Sequence, residues 1–197
     1  MRSTTRCGLP PTLMTSSRRM LDAVISMDAA TAFLELVTRS WRGASNLVEV
    51  SSLVLIASSH SSASAALVYA ALVDAESWPS WSAYADVEWD VPAGVDRPAR
   101  VGDMRTIRTS TGRTCCRERV VEMVPDRRFS YEQASGLFTS HRGSVDLAGA
   151  AHGGTDITWS VTYRLSLPLL GMLRRRRLQV WAQDLASYAN SIVSRNS

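Results

Sequence analysis

The alternation of apolar and polar positions is strictest between Thr155 and Leu167. Thr155, Ile157, Trp159, Val161, Tyr163, Leu165 and Leu167 fall on one face; Asp156, Thr158, Ser160, Thr162, Arg164 and Ser166 fall on the other. A period of two sustained over 13 residues predicts a half-buried antiparallel strand. Gly153-Gly154 supplies the turn before it. The preceding segment repeats the pattern, with His141, Val145 and Leu147 inward and Arg142, Ser144 and Asp146 outward. Before that, Phe129 and Tyr131 face in while Ser130 and Glu132 face out, following a turn at Pro125-Asp126. Over residues 113–124, turning Arg117 and Arg119 to water puts Cys116 and Glu118 inside, and a bulge near Val120-Val121 returns Met123 to the interior. After Pro168 the period changes. Leu169, Met172, Leu173, Leu178, Trp181, Leu185, Tyr188 and Ile192 recur at three- and four-residue steps, which predicts an amphipathic helix of roughly 24 residues, about 36 Å long.

Upstream, residues 47–57 are rich in β-formers and predict a first strand. A Ser/Ala stretch over 58–66 leads into a short helix over Ala65–Val73, with Ser61, Ser62 or Ser64 available as N-cap. A second short helix or turn is expected over Asp74–Trp81, broken by Pro79. The order is strand, two short helices, about six more strands and one long helix. That is an α+β domain over residues 47–197: a curved antiparallel sheet of about seven strands wrapped around the C-terminal helix. A sheet gripping a helix in this way does not close completely, and an apolar cavity is expected between them.

Charge separates the chain into two parts. Residues 1–46 hold six Arg against Asp22, Asp28 and Glu35, whereas the rest of the chain is nearly neutral. The body therefore offers no broad cationic surface for nucleic acid. The leader, 1–46, is expected to be disordered or partly helical, with helical spacing from Met20 to Val37 and an alternative role in targeting or docking. All 22 basic residues are Arg, so Schiff-base lysine chemistry is excluded. Three Cys, two of them adjacent at Cys115 and Cys116, make no disulfide framework. Neighbours on a regular strand point to opposite faces, which places these two poorly for sharing one metal. The chain is expected to be reduced and cytoplasmic. No apolar run reaches the length of a transmembrane helix. Phosphate-loop, serine-nucleophile, paired-carboxylate and zinc patterns are missing from the sequence, so neither metal nor cofactor is expected.

Three segments carry a family resemblance: Ala65–Trp81, with its helix and W-P-x-W-like turn; Val101-Gly102 followed by Glu118–Tyr131; and Gly153–Tyr163 followed by Pro168 and the last helix. On these, the body resembles the SRPBCC (START-like, helix-grip) superfamily, most closely its polyketide cyclase/dehydrase branch. The resemblance covers about 150 residues and stops at the leader. It implies a helix-grip fold that binds a hydrophobic or polycyclic small molecule, and in some relatives cyclises or dehydrates it.

Candidate ligand contacts are Trp81, Tyr84, Trp89, Met104, Glu118, Tyr131, Gln133, His141, Trp159, Tyr163 and Trp181. The aromatic members suit either a pocket wall or a core cap. Trp78 is expected only to brace Pro79. His141 is the one histidine on an inward strand face, a candidate acid or base beside Glu118 and Tyr131. Such a histidine is more often a core residue or a pocket-wall donor; Tyr131, Gln133 and Tyr163 are equally at home in the core; and an inward Glu118 demands a partner, the alternative being a register off by one that turns it to solvent. Arg174–Arg177 spans the helix circumference and is expected to be solvated, with a headgroup contact as the alternative. The functional expectation is a carrier or binder of an apolar ligand. The alternatives are a polyketide cyclase/dehydratase working by proton transfer, and an interaction module with a vestigial pocket. Oligomeric state stays open between monomer and homodimer.

Overall fold

The computed structural model describes residues 51–91, 98–136, 141–165 and 169–196. The leader, the start of the first expected strand and the inward turn of Leu167 lie outside the described residues. So do the side chains of Leu165, Leu169, Met172 and Leu173. In chain order the elements are β1 (Ser51–Ser61), α1 (Ala65–Val73), a 3-10 turn (Ala75–Ser77), α2 (Trp78–Trp81), β2 (Asp86–Trp89), β3 (Met104–Arg108), β4 (Thr114–Val124), β5 (Arg128–Gly136), β6 (His141–Gly149), β7 (Thr155–Leu165) and α3 (Leu169–Asn196). Seven antiparallel strands form one curved sheet in the order β1-β7-β6-β5-β4-β3-β2. Strands β2 to β7 meander, and β1 joins the end of the sheet by pairing with β7.

Alternation decides which face is buried. Thr155, Ile157, Trp159, Val161 and Tyr163 of β7 are buried, as are Val145 and Leu147 of β6 and Phe129 and Tyr131 of β5. The register of β4 also follows the expected pattern. Cys116 and Glu118 are buried and Arg117 and Arg119 exposed. A shift between Val120 and Glu122 leaves Val121 unpaired and sets Met123 opposite Phe129. Ser130 faces outward yet is buried, because its hydroxyl donates to Glu122 at 3.1 Å and lies 3.0 Å from the Ser144 hydroxyl.

Two features of the first third differ from the expectation. Strand β1 runs four residues beyond 57, through Ser58–Ser61, which pair with Thr158–Thr155 of β7. A serine run has little strand signal of its own; the partner strand imposes the conformation. Pro79 does not break its helix but sits in the first turn of α2, where a missing N–H costs nothing. Among the serines available as N-cap, Ser64 is used: its hydroxyl accepts from the Leu67 N–H at 3.4 Å.

Helix α3 lies mainly along β1 and α1. Leu178 and Leu185 are fully buried in that contact, together with Ala182, Ala186 and Ala189, which let the backbone approach the sheet closely. Trp181, Tyr188 and Ile192 are half-buried on the flank of the stripe.

Candidate functional site

The inner face of β3 to β6 carries a charged cluster on an otherwise apolar wall. Strand register sets it up: Arg105 stands opposite Glu118, and Glu118 opposite Gln133. Arg105 donates to Glu118 Oε2 from Nε at 2.9 Å and from Nη2 at 2.7 Å. The other carboxylate oxygen, Oε1, lies 3.4 Å from His141 Nε2 and accepts from the Cys116 thiol at 3.8 Å. His141 Nδ1 is 2.6 Å from Gln133 Oε1. Arg105 is 1% exposed and Glu118 5%, so neither charge is screened by water and each depends on the other. Burial raises the Glu118 pKa, but Arg105 and His141 outweigh it and hold the carboxyl below its ordinary value.

The guanidinium is enclosed by rings. Its carbon lies 4.4 Å from the Trp78 ring centre, 5.1 Å from Phe129, 5.2 Å from Tyr131 and 6.0 Å from Trp89. Nε and Nη2 are used by Glu118, whereas the buried Nη1 has no hydrogen-bond partner among the described residues. A cationic donor held dry and unpaired costs free energy unless something accepts from it.

The aromatic side chains form a second, continuous patch where α2 and α3 meet the sheet. Trp78 is its hub, with ring centres 4.8 Å from Trp81, 6.2 Å from Tyr84 and 6.4 Å from Trp159. Its Nε1 donates to the Leu72 carbonyl at 3.0 Å, which ties α2 to α1. Trp181 of α3 meets Tyr84 at 5.5 Å and Trp159 at 5.9 Å. Trp159 Nε1 donates to the Tyr131 hydroxyl at 3.0 Å and so links this patch to the charged cluster. Tyr131 lies flat across Gly143; a Cβ there would overlap its ring, so only glycine leaves the phenol in place. Burial pushes the Tyr84 and Tyr131 phenols well above their ordinary pKa, and Tyr163 upward too. These tyrosines stay protonated and can donate hydrogen bonds, but they are not bases.

Of the expected contacts, the structure brings Glu118, Gln133, His141, Tyr131 and Tyr163 into one group, with His141 ring centres 5.9 Å from Tyr131 and 5.5 Å from Tyr163. It brings Trp81, Tyr84, Trp159 and Trp181 into the other, and Trp89 joins through Arg105. Met104 does not belong. It pairs with the exposed Arg119 on the outer face, and the inward position is taken by Arg105. Arg105 and the role of Trp78 were missed in the sequence. The available signal was Glu118 itself: a buried carboxylate requires a cation, and the neighbouring strand offers Arg105 directly across from it.

The adjacent cysteines sit at an irregular point of β4. A register shift at Ile107/Arg108 pairs Cys116 with Ile107 and Thr114 with Arg108, leaving Cys115 in a bulge. Cys116 is buried, its thiol donating to Glu118 Oε1 at 3.8 Å, and Cys115 is half-buried.

Residues 137–140 and the side chains of 164–173 lie outside the described residues. A groove of about 580 Å³ opens elsewhere, on the outer side of α3, lined by Arg175, Arg176, Gln179, Val180 and Gln183. These residues are set apart from the charged cluster and from the aromatic patch. Its wall lacks convergent buried polar groups, so the inner surface is the better candidate site.

A family model described as polyketide cyclase / dehydrase and lipid transport matches residues 54–188. The chain belongs to this family. Its described fold is the helix-grip (START-like) arrangement of that superfamily. Solved structures agree on the fold. Ara h 8.0201 superposes with a TM-score of 0.56 at 17% identity, covering 72% of this chain and 99% of its own. Ginseng major latex-like protein 151 from Panax ginseng gives 0.56 at 14%, covering 72% and 99%. The Aha1 dimer from Colwellia psychrerythraea gives 0.55 at 13%, covering 70% and 96%. Among curated proteins, no sequence matches. Membership supports binding of hydrophobic ligands at the level of the family. No helix among the described residues is long and apolar enough to cross a membrane.

Proposed function

We propose that the protein binds an apolar, ring-bearing small molecule, lipid- or polyketide-like, between the inner sheet face and α3, and that an oxygen of this ligand accepts from Arg105 Nη1. The observation that carries this reading is a buried Arg among Trp78, Phe129 and Tyr131 whose Nη1 has no partner among the described residues. The aromatic surroundings favour a flat apolar body, and the unused N–H groups favour a carbonyl, enolate or carboxylate at one end. The free thiols of Cys115 and Cys116 fit a reducing compartment, the cytoplasm.

Trp-fluorescence titration tests the reading with pairs of polycyclic ligands, each oxygenated compound set against its hydrocarbon analogue. The conservative variant Arg105→Lys keeps a cation for Glu118 and removes the guanidinium fork. A hydrogen bond to a charged group contributes about 1.5–3 kcal/mol, so Arg105→Lys is expected to lose roughly 10- to 100-fold in affinity for oxygenated ligands and little for hydrocarbons. Equal loss for both classes, or no binding below about 100 μM, would count against the assignment.

A second reading, a cyclase or dehydratase, is favoured by one observation: His141 sits between Glu118 and Gln133. With both ring nitrogens on acceptor oxygens, the contacts are fully satisfied when the ring carries two protons. A Gln133 amide turned to donate suits a neutral ring equally well. Such a ring can pass a proton to or from a ligand, whereas Glu118 is committed to Arg105 and Tyr131 is held protonated. Under this reading His141→Ala lowers turnover of a polyketide-like substrate by about 10²-fold or more; unchanged turnover would remove it.

A further inference from the structure

The run of four arginines near the start of α3 divides in two. Arg175 and Arg176 are exposed, as expected, whereas Arg174 and Arg177 are half-buried. The Arg174 guanidinium carbon lies 4.6 Å from the centre of the Tyr163 ring, and that of Arg177 lies 5.5 Å from the Trp181 ring. Steps of three and four residues carry the same line on from Arg177 to Trp181, Asp184 and Tyr188. This flank of α3 overlooks the inner face of the sheet. Trp181 meets Tyr84 and Trp159, and Tyr188 meets Trp81 with ring centres 6.5 Å apart. Tyr163 in turn borders His141. The inner surface thus carries cations on both walls, Arg105 on the sheet and Arg174 with Arg177 on the helix.

Like charges one turn apart on a helix repel, and they repel more where protein replaces water. Glu118, the buried acid of this surface, is already held by Arg105. Asp184 stands two turns beyond Arg177, about 10 Å along the helix axis. A guanidinium lying over a ring directs its donors sideways, in its own plane. That is the geometry that takes a carboxylate in parallel hydrogen bonds.

We propose, on the basis of the binding reading above, that the ligand is an acid whose carboxylate is held by Arg174 and Arg177 while its ring-bearing body lies on the aromatic patch. The two rings fix the guanidinium groups at the edge of an apolar surface, where a charge at one end of an apolar body is met by opposite charge and the rest by rings. Inside a helix the backbone N–H groups are already bonded, so this wall offers no cradle of the kind that suits a phosphate. A carboxylate is therefore the class of anion assigned.

The test is isothermal titration calorimetry of the full-length protein with pyrenebutyric acid, its methyl ester and the corresponding pyrenebutyl phosphate. The acid is expected to bind about 10- to 100-fold more tightly than the ester, the range for charge-assisted hydrogen bonds, and the preference should shrink as salt is raised. Arg174→Gln and Arg177→Gln should each reduce the preference, and the double variant should abolish it. Ester affinity should stay at the wild-type value in all of them, which shows that the fold and the apolar surface are intact. Arg174→Lys keeps the charge and should retain part of the preference; Arg175→Gln and Arg176→Gln should leave it unchanged. Acid and ester bound equally well by the wild type would overturn the proposal while leaving apolar binding in place, whereas binding of none of the three would remove both. Equal loss of acid and ester in the double variant, or a phosphate bound more tightly than the acid, would also overturn it.

Discussion

Glu118→Gln is expected to destabilise the domain by about 3–5 kcal/mol, the cost of leaving a buried partner charge unpaired. The substitution keeps size and shape, so the loss is electrostatic: Arg105 stays 1% exposed with no carboxylate to receive Nε and Nη2. The pH dependence follows from the same contacts. The Glu118 pKa is lower in the folded chain than in the unfolded one, despite burial, because of Arg105 and His141. Its contribution is therefore fully present above the unfolded value, about 4.3, and is lost as pH falls through the folded value. Urea denaturation at neutral pH should show the full difference between wild type and Glu118→Gln, and the gap should narrow in acid. A gap that stays constant from neutral pH to pH values near 3 (about one unit below the free carboxyl) would mean that Glu118 titrates alike in the folded and unfolded chains, against the pairing with Arg105.

Trp78→Ala is expected to cost a similar amount, about 3–5 kcal/mol, and to lower the melting temperature by about 2–4 °C for each kcal/mol. Trp78 is 2% exposed and touches four partners at once: Trp81, Tyr84, Trp159 and the Arg105 guanidinium. Its removal opens a void in the centre of the aromatic patch and cuts the Nε1 bond that holds α2 to α1. Trp78→Phe separates these roles, keeping most of the ring contact while losing the Leu72 bond. It should fall between wild type and the alanine variant in thermal denaturation. A phenylalanine variant as unstable as alanine would place the stabilisation in the hydrogen bond rather than in packing.

Much of this architecture is legible in the sequence because period-two and period-3.6 patterns are physical consequences of burial on one face. Strand β7 is legible from its own alternation, and β4 from the conflict between Arg117/Arg119 and Cys116/Glu118, which also locates the bulge at Val121. Three things are harder to read. Ser58–Ser61 become strand only because Thr155–Thr158 lie beside them, a long-range cause that a local serine run does not reveal. Met104 and Arg105 cannot be ordered by hydrophobicity, since apolarity assigns Met104 inward; only the charge demand of Glu118 one strand away reverses it. The alanines at 182, 186 and 189 carry the close approach of α3, yet their small side chains add little to an apolar stripe read from large residues. The Cys115 bulge has no sequence signal.

The most direct test of ligand recognition at Arg105 is side-chain nitrogen NMR of the arginine guanidinium groups during titration with an oxygenated polycyclic ligand. Arg105 is 1% exposed and its resonances should exchange slowly with water. The expected result is a saturable shift of the Arg105 Nη signals, in step with quenching of the tryptophans that surround it. Saturable binding that moves Arg175 and Arg176 of the outer groove, while Arg105 stays still, would contradict it.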